Sequence, residues 1–262
     1  MTPPHGDVSA KWRGGNRFSI TGLDNDDVLA YARAHGDRCP LTVREIRVFK
    51  DLKGANDEWA RKTRALLREN GLLMINLIGS PGAGKTALLE TLTPHLRTRA
   101  SFAVLEGDIA TTRDAERLNA LNVPVSQLLS GGACHLEARL VNRALLDFPL
   151  SDLDIVFVEN VGNMVCPAEF DVGEQFKVAV LSVAEGEDKP LKYPLLFREA
   201  GAVALTKLDL LPHLDFDMDA CLANIRNVNA AIPIFQVAAA KGQGLEAFAD
   251  WVLAYRQPAL DS

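Results

Sequence analysis

A chain of 262 residues, 48% of them apolar, can bury a sizeable core and suits one large α/β domain with a modest appendage. Its formal net charge of −6, with no run of Lys or Arg to override the average, argues against a nucleic-acid surface. No apolar segment approaches the roughly 20 residues that span a bilayer, and Met1 to Asp7 lacks the basic and apolar regions of a signal peptide. A cytoplasmic protein is expected, whose four scattered cysteines are free thiols or metal ligands rather than a disulfide framework.

Residues 1–22, with Pro3, Pro4, Gly6, Gly14, Gly15 and Gly22 among polar residues, read as a flexible leader. An N-terminal helical segment is expected over 23–71. Asn25 to Ala34 has helical spacing and stops at His35-Gly36, and Thr42-Val43-Arg44-Glu45 has the capping-box form, opening a mixed segment to about Leu52. From Asn56, helical spacing runs through Trp59, Ala60, Thr63, Leu66 and Leu67 to the Asn70-Gly71 stop, predicting a helix on the sheet's edge. His5, His35 and Cys39 match no ligand spacing and read as surface residues.

The apolar run Leu72 to Ile78 leads into Gly79-Ser80-Pro81-Gly82-Ala83-Gly84-Lys85-Thr86 and then into a helical stretch, Ala87 to Leu92. That is the G-x-x-x-x-G-K-[ST] pattern in its strand, loop, helix context. Its glycines let successive backbone N–H groups face the phosphates of a nucleotide, and the positive end of the new helix adds to them. Lys85 is the point charge for the β and γ phosphates, and the Thr86 hydroxyl is a Mg²⁺ ligand. The P-loop domain is expected over 72–256, with 257–262 as a tail.

Apolar, β-rich runs alternate with helical segments from there on. Strands are predicted at 73–78, 102–107, 124–128, 154–159, 178–183, 203–206 and 233–237. Continuous apolar strands separated by helices predict a mainly parallel sheet of about seven strands, covered on both faces. Ligands bind such sheets beyond the carboxyl ends of the strands. There, Asp108 follows the second run, placed to hold Mg²⁺ or orient the attacking water. Glu159 ends the run Ile155 to Val158, and Gly162 follows it. This is the form of a strand that brings an acid to Mg²⁺ and a glycine N–H to the terminal phosphate.

Thr206-Lys207-Leu208-Asp209 resembles the N-K-x-D guanine reader. Asp209 would accept from the guanine N1–H and amino group, a pairing mismatched to adenine. The last strand continues into Ala238-Ala239-Ala240-Lys241-Gly242, where support for the base would come from backbone around Ala239.

Cys134 and His135 follow a glycine turn at the predicted start of a helix, whose N-terminus should favour the thiolate. Cys166 lies four residues beyond Gly162, so all three can reach one rim of the sheet. Two thiolates and an imidazole are one ligand short of a closed tetrahedral site. The fourth comes from solvent or from a second copy of the chain at a symmetry axis. The competing reading makes Cys134 and Cys166 small buried hydrophobes, and for Cys221, in a helical stretch, that reading is preferred.

Taken together, the stretches Gly79 to Thr86, Glu106 to Arg117, Gly131 to Leu136, Glu159 to Asp171 and Glu187 to Pro194 resemble the nickel-incorporation GTPase family HypB, of the same class as UreG. The resemblance implies a P-loop NTPase of the SIMIBI type in which GTP hydrolysis and nucleotide-dependent dimerisation regulate nickel delivery to the large subunit of [NiFe]-hydrogenase. HypA is the implied partner, and Cys134, His135 and Cys166 match the family's nickel or zinc site. Slow intrinsic hydrolysis is expected, because the sequence offers no obvious arginine finger in cis, with Arg113 left open for that role. Some members carry an N-terminal C-x-x-C-G-C site or a histidine-rich tract. Residues 1–30 have no Cys and only His5, so N-terminal nickel storage is not carried over. Cys166-Pro167-Ala168 departs from the Cys-Pro-His run of UreG, which weighs against the urease reading, while an accessory GTPase of the same class serving another metalloenzyme, urease or a cobalamin mutase, is the alternative. A P-loop small-molecule kinase with structural cysteines is the alternative from a different class.

Overall fold

The computed structural model describes residues 43–107, 113–128 and 133–256. Asp108, the leader, the Asn25 to Ala34 helix, His5, His35, Cys39 and the tail lie outside the described residues. The chain divides into two units, 1–55 and 56–262. All seven expected strands are present: β1 (Leu73–Ile78), β2 (Phe102–Glu106), β3 (Val125–Gln127), β4 (Ile155–Glu159), β5 (Phe176–Ser182), β6 (Ala200–Thr206) and β7 (Ile234–Gln236). They form one sheet in the order β3-β2-β4-β1-β5-β6-β7, with every pairing parallel.

β1 is the central strand. The chain leaves it towards β2 and β3, returns to insert β4 beside it, and then crosses to β5 on its other side. Open parallel sheets bind ligands at such a reversal, which here lies beyond the carboxyl ends of β1, β4 and β5. All six residues of β1 are buried, and the period-two alternation divides them. Leu73, Ile75 and Leu77 meet Leu88, Leu92 and Leu96 of α2 (Lys85–Leu96), and α9 (Leu245–Arg256) adds Phe248 and Val252. Met74 faces the other way, with Val156 and Val158 of β4 and with Val141 and Leu145 of α4 (Ala138–Leu145). A third cluster packs β5 and β6 against α7 (Pro194–Glu199) and α8 (Met218–Val228). The remaining helices are short: α3 (Arg113–Ala120), α5 (Cys166–Glu169) and α6 (Lys189–Lys192).

The first helix differs from expectation in two ways. α1 is continuous over Val43–Glu69, so the mixed segment and the helix from Asn56 are one element. A Cβ placed at Gly54 would meet nothing within 4 Å, and the glycine lies in open space without breaking the helix. Its propensity cost of about 1 kcal/mol is small beside the packing that follows. Asn56, Ala60, Thr63 and Leu67, a stripe at helical spacing, are buried. Leu67 joins Met74 and Val156 in the cluster on one face of the central strands, so the helix covers that face rather than lying on the sheet's edge.

Candidate nucleotide and metal sites

The P-loop lies between β1 and α2, and its shape follows from its glycines. Gly84, the residue capping α2, has φ 93, a left-handed conformation that side chains resist. Lys85 is buried, and its ammonium donates to the carbonyls of Gly79 (3.3 Å) and Ser80 (3.4 Å) of its own loop. These bonds hold the charge against the P-loop itself. The Thr86 hydroxyl donates to Glu159 Oε1 at 2.8 Å, joining the first turn of α2 to the end of β4.

Glu159 has a neighbour that sequence reasoning passed over. β2 and β4 pair with Glu106 opposite Glu159, placing two carboxylates side by side at 1% and 8% exposure. The sequence signal was the acid ending the second run, and it was assigned to Asp108 two residues later. Thr86, Glu159 and Glu106 form a set of hard oxygen donors that fits Mg²⁺.

The guanine-reader segment meets the P-loop from the other side. Thr206 is buried, and its hydroxyl donates to Ala83 O at 2.6 Å, so it fastens the loop to β6. Lys207 has φ 61, and its ammonium donates to Gly82 O at 2.5 Å, which lays the lysine stem across the P-loop. Asp209 is half-buried in the turn Leu208–His213. Leu208 N–H donates to Val237 O, which brings that turn beside the Ala239–Lys241 turn and Ala239.

Cys134, His135 and Cys166 come together, their ligand atoms all within 4.8 Å of one another. The two sulfurs are 2.8 Å apart as free thiols, and Cys134 Sγ is 3.6 Å from His135 Nδ1. Burial, and then the hydrogen bond and proximity of Cys134, push the Cys166 thiol up to about 11. Burial lowers His135, with Glu137 pulling partly back, which favours the neutral imidazole a metal requires. The face of that ring stacks on Phe170, with centroids 3.9 Å apart. The helix-terminus argument for Cys134 does not hold. Glu137 is extended (φ −87, ψ 143) and α4 begins only at Ala138, so Cys134 lies outside its first turn. Cys221 is buried among apolar residues, as expected.

The two sites share a loop. A Cβ at Gly162 would fall 2.8 Å from Pro81 Cγ and 2.9 Å from its Cα, so only glycine permits this approach to the P-loop. The next residue, Asn163, pairs through its backbone with Gly79. Its side chain donates to Cys134 O (3.0 Å) and accepts from Val165 N–H (3.0 Å). Three residues earlier, buried Asn160 accepts from Leu136 N–H (3.2 Å) and donates to Asn76 Oδ1 (3.1 Å). Sequence reasoning missed both asparagines. No helix among the described residues is long and apolar enough to cross a membrane.

The family model described as the CobW/HypB/UreG nucleotide-binding domain matches residues 73–236. The hydrogenase maturation factor HypB of Azotobacter vinelandii is 47% identical over 223 residues, covering 84% of this chain and 73% of its own. The structure of HypB from Helicobacter pylori in complex with nickel superposes with a TM-score of 0.74 at 35% identity, covering 78% of this chain and 96% of that one. HypB from Archaeoglobus fulgidus gives a TM-score of 0.73 at 31% identity, covering 78% and 99%. The P-loop and the thiol and imidazole cluster of Cys134, His135 and Cys166 agree with those matches, and the chain belongs to the HypB hydrogenase maturation factors of the CobW/HypB/UreG family.

Proposed function

We propose that this chain is a Mg²⁺-dependent GTPase switch of the cytoplasm whose hydrolysis of GTP governs nickel insertion into the large subunit of [NiFe]-hydrogenase. That it is a GTPase of hydrogenase maturation follows from its family. The P-loop amides and Lys85 bind the phosphates, while Asp209, with backbone near Ala239, selects guanine. Thr86 and Glu159 would hold Mg²⁺, with Glu106 alongside and Asp108 as the further acid. When bound, the ion neutralises charge on the β and γ phosphates. With no obvious arginine finger in cis, the intrinsic rate is slow.

Nickel, or zinc in its place, is the cargo of Cys134, His135 and Cys166. Two thiolates and an imidazole suit either ion. Three ligands leave a position open, which fits an ion that is handed on rather than a closed structural site. Solvent or a second copy completes the set, so a homodimer promoted by metal or nucleotide belongs to this reading. A HypA-type nickel chaperone and the large-subunit precursor are its partners.

The observation that carries the reading is Asn163, which touches the P-loop, the Cys134 segment and the Cys166 segment at once. In this reading Gly162 N–H meets the terminal phosphate, and loss of that phosphate would shift the 162–163 backbone and with it the grip on both thiol segments. Lys85→Ala is expected to abolish GTP binding and leave metal stoichiometry unchanged. Cys134→Ala/Cys166→Ala is expected to do the reverse. Equal nickel or zinc stoichiometry in wild type and the double variant would refute the metal site.

A further inference from the structure

The ligand atoms ride on two segments 32 residues apart in sequence, so the site is only as well formed as the relative placement of those segments. The loop after β4 holds them from the nucleotide side. A different element holds them from outside. Asn56, on α1 and 8% exposed, accepts from Ala138 N–H at 2.8 Å and donates to Asp171 O at 2.7 Å. Ala138 lies three residues beyond His135 and opens α4, where a helix has N–H groups with no partner of its own. Asp171 follows Phe170, the ring stacked on His135.

The neighbouring residues of α1 repeat the grip. Thr63 Oγ1 accepts from Asn142 Nδ2 at 3.2 Å, and the Arg64 guanidinium pairs with the Asp171 carboxylate. A Cβ at Gly173 would fall 2.5 Å from Thr63 Cβ, so the loop after Phe170 is pressed onto the same face of α1. The carboxamide offers a donor and an acceptor in one planar group without depending on pH. Removing it would strand a buried N–H on one ligand segment and a carbonyl on the other. α1 also lies outside residues 73–236, the extent of the nucleotide-binding domain shared by the family.

We infer that Asn56 is a positioning residue of the metal site: its amide clips the Cys134-His135 segment to the segment carrying Cys166 and Phe170 and so sets the ligand geometry. This rests on the proposed metal site. The test is Ni²⁺ titration of the full chain by thiolate-to-metal charge-transfer absorption, with GTP-analogue affinity and Tm measured alongside. Leu67→Ala serves as control, because Leu67 anchors the same helix through apolar packing alone and has no hydrogen-bonding side chain to clip the two segments together. Asn56→Ala is expected to weaken Ni²⁺ binding about 10-fold or more, the scale of outer-shell losses, and to shift the charge-transfer band, with GTP-analogue affinity within about twofold of wild type. Leu67→Ala is expected to lower Tm and leave the band in place. Wild-type Ni²⁺ binding in Asn56→Ala, or equal weakening in both variants, overturns the inference. Should Asn56→Ala not fold, Arg64→Met releases Asp171 from a half-exposed position. It must weaken Ni²⁺ binding in the same direction, and wild-type affinity there also overturns the inference. A wild-type chain that binds no Ni²⁺ refutes the metal site itself and the inference with it, a failure distinct from loss of the Asn56 effect alone.

Discussion

Replacing Asn163 by alanine separates the nucleotide pocket from the metal site while leaving the groups of both in place. The backbone pairing with Gly79 does not depend on the side chain, so the P-loop keeps its neighbour. What is lost is the bond to Cys134 O and the bond from Val165 N–H. Each such bond contributes about 0.5–1.5 kcal/mol net, so about 1–3 kcal/mol is the most coupling that these two bonds can carry. That is the size of a typical coupling free energy, corresponding to roughly 5- to 150-fold in affinity. The assay is Ni²⁺ titration of the GDP and GTP-analogue forms of wild type and Asn163→Ala. The ratio of the two Kd values is expected to fall towards one in the variant, with GTP-analogue affinity within about twofold of wild type. A variant that keeps the wild-type ratio would refute the coupling path.

Further outcomes follow from other contacts. Gly162→Ala places a Cβ under 3 Å from the rigid ring and backbone of Pro81, so the loops must part, and single-turnover GTP hydrolysis should fall with little loss of GDP affinity; wild-type hydrolysis would contradict the close approach. Burial works to raise the Asp171 carboxyl, but the Arg64 guanidinium and the Gly173 N–H outweigh it and hold the group below its ordinary range. Its contribution to stability is therefore present above the unfolded pKa of about 3.9 and is lost as pH falls through the lower folded value. Asp171→Asn should have a lower urea midpoint than wild type at pH 7, with the gap closing below about pH 4; a gap constant over that range would count against the Arg64 pairing.

The P-loop and the seven strands were legible because each rests on local signals: glycine spacing, apolar runs and the acids that end them. Glu106 was overlooked because its partnership with Glu159 exists only through the pairing of β2 with β4, which no window along the chain displays. The same holds for Asn56, Asn160 and Asn163. An amide that bonds backbone far away in sequence looks like any polar residue until the topology brings its partners close. α1 was divided into a mixed segment to about Leu52 and a helix from Asn56 because the apolar spacing is clear only in the second part, whereas the backbone is one helix over Val43–Glu69. The placement of Cys134 at a helix start failed on Glu137, whose extended backbone delays the helix to Ala138.

The most direct test of the account is Ni²⁺ affinity of the wild-type chain in its apo, GDP and GTP-analogue forms, with oligomeric mass followed in the same samples. The account predicts that affinity changes severalfold or more between the GDP and GTP-analogue forms and that the change vanishes in Cys134→Ala/Cys166→Ala. The same Ni²⁺ affinity in all three wild-type forms would contradict it.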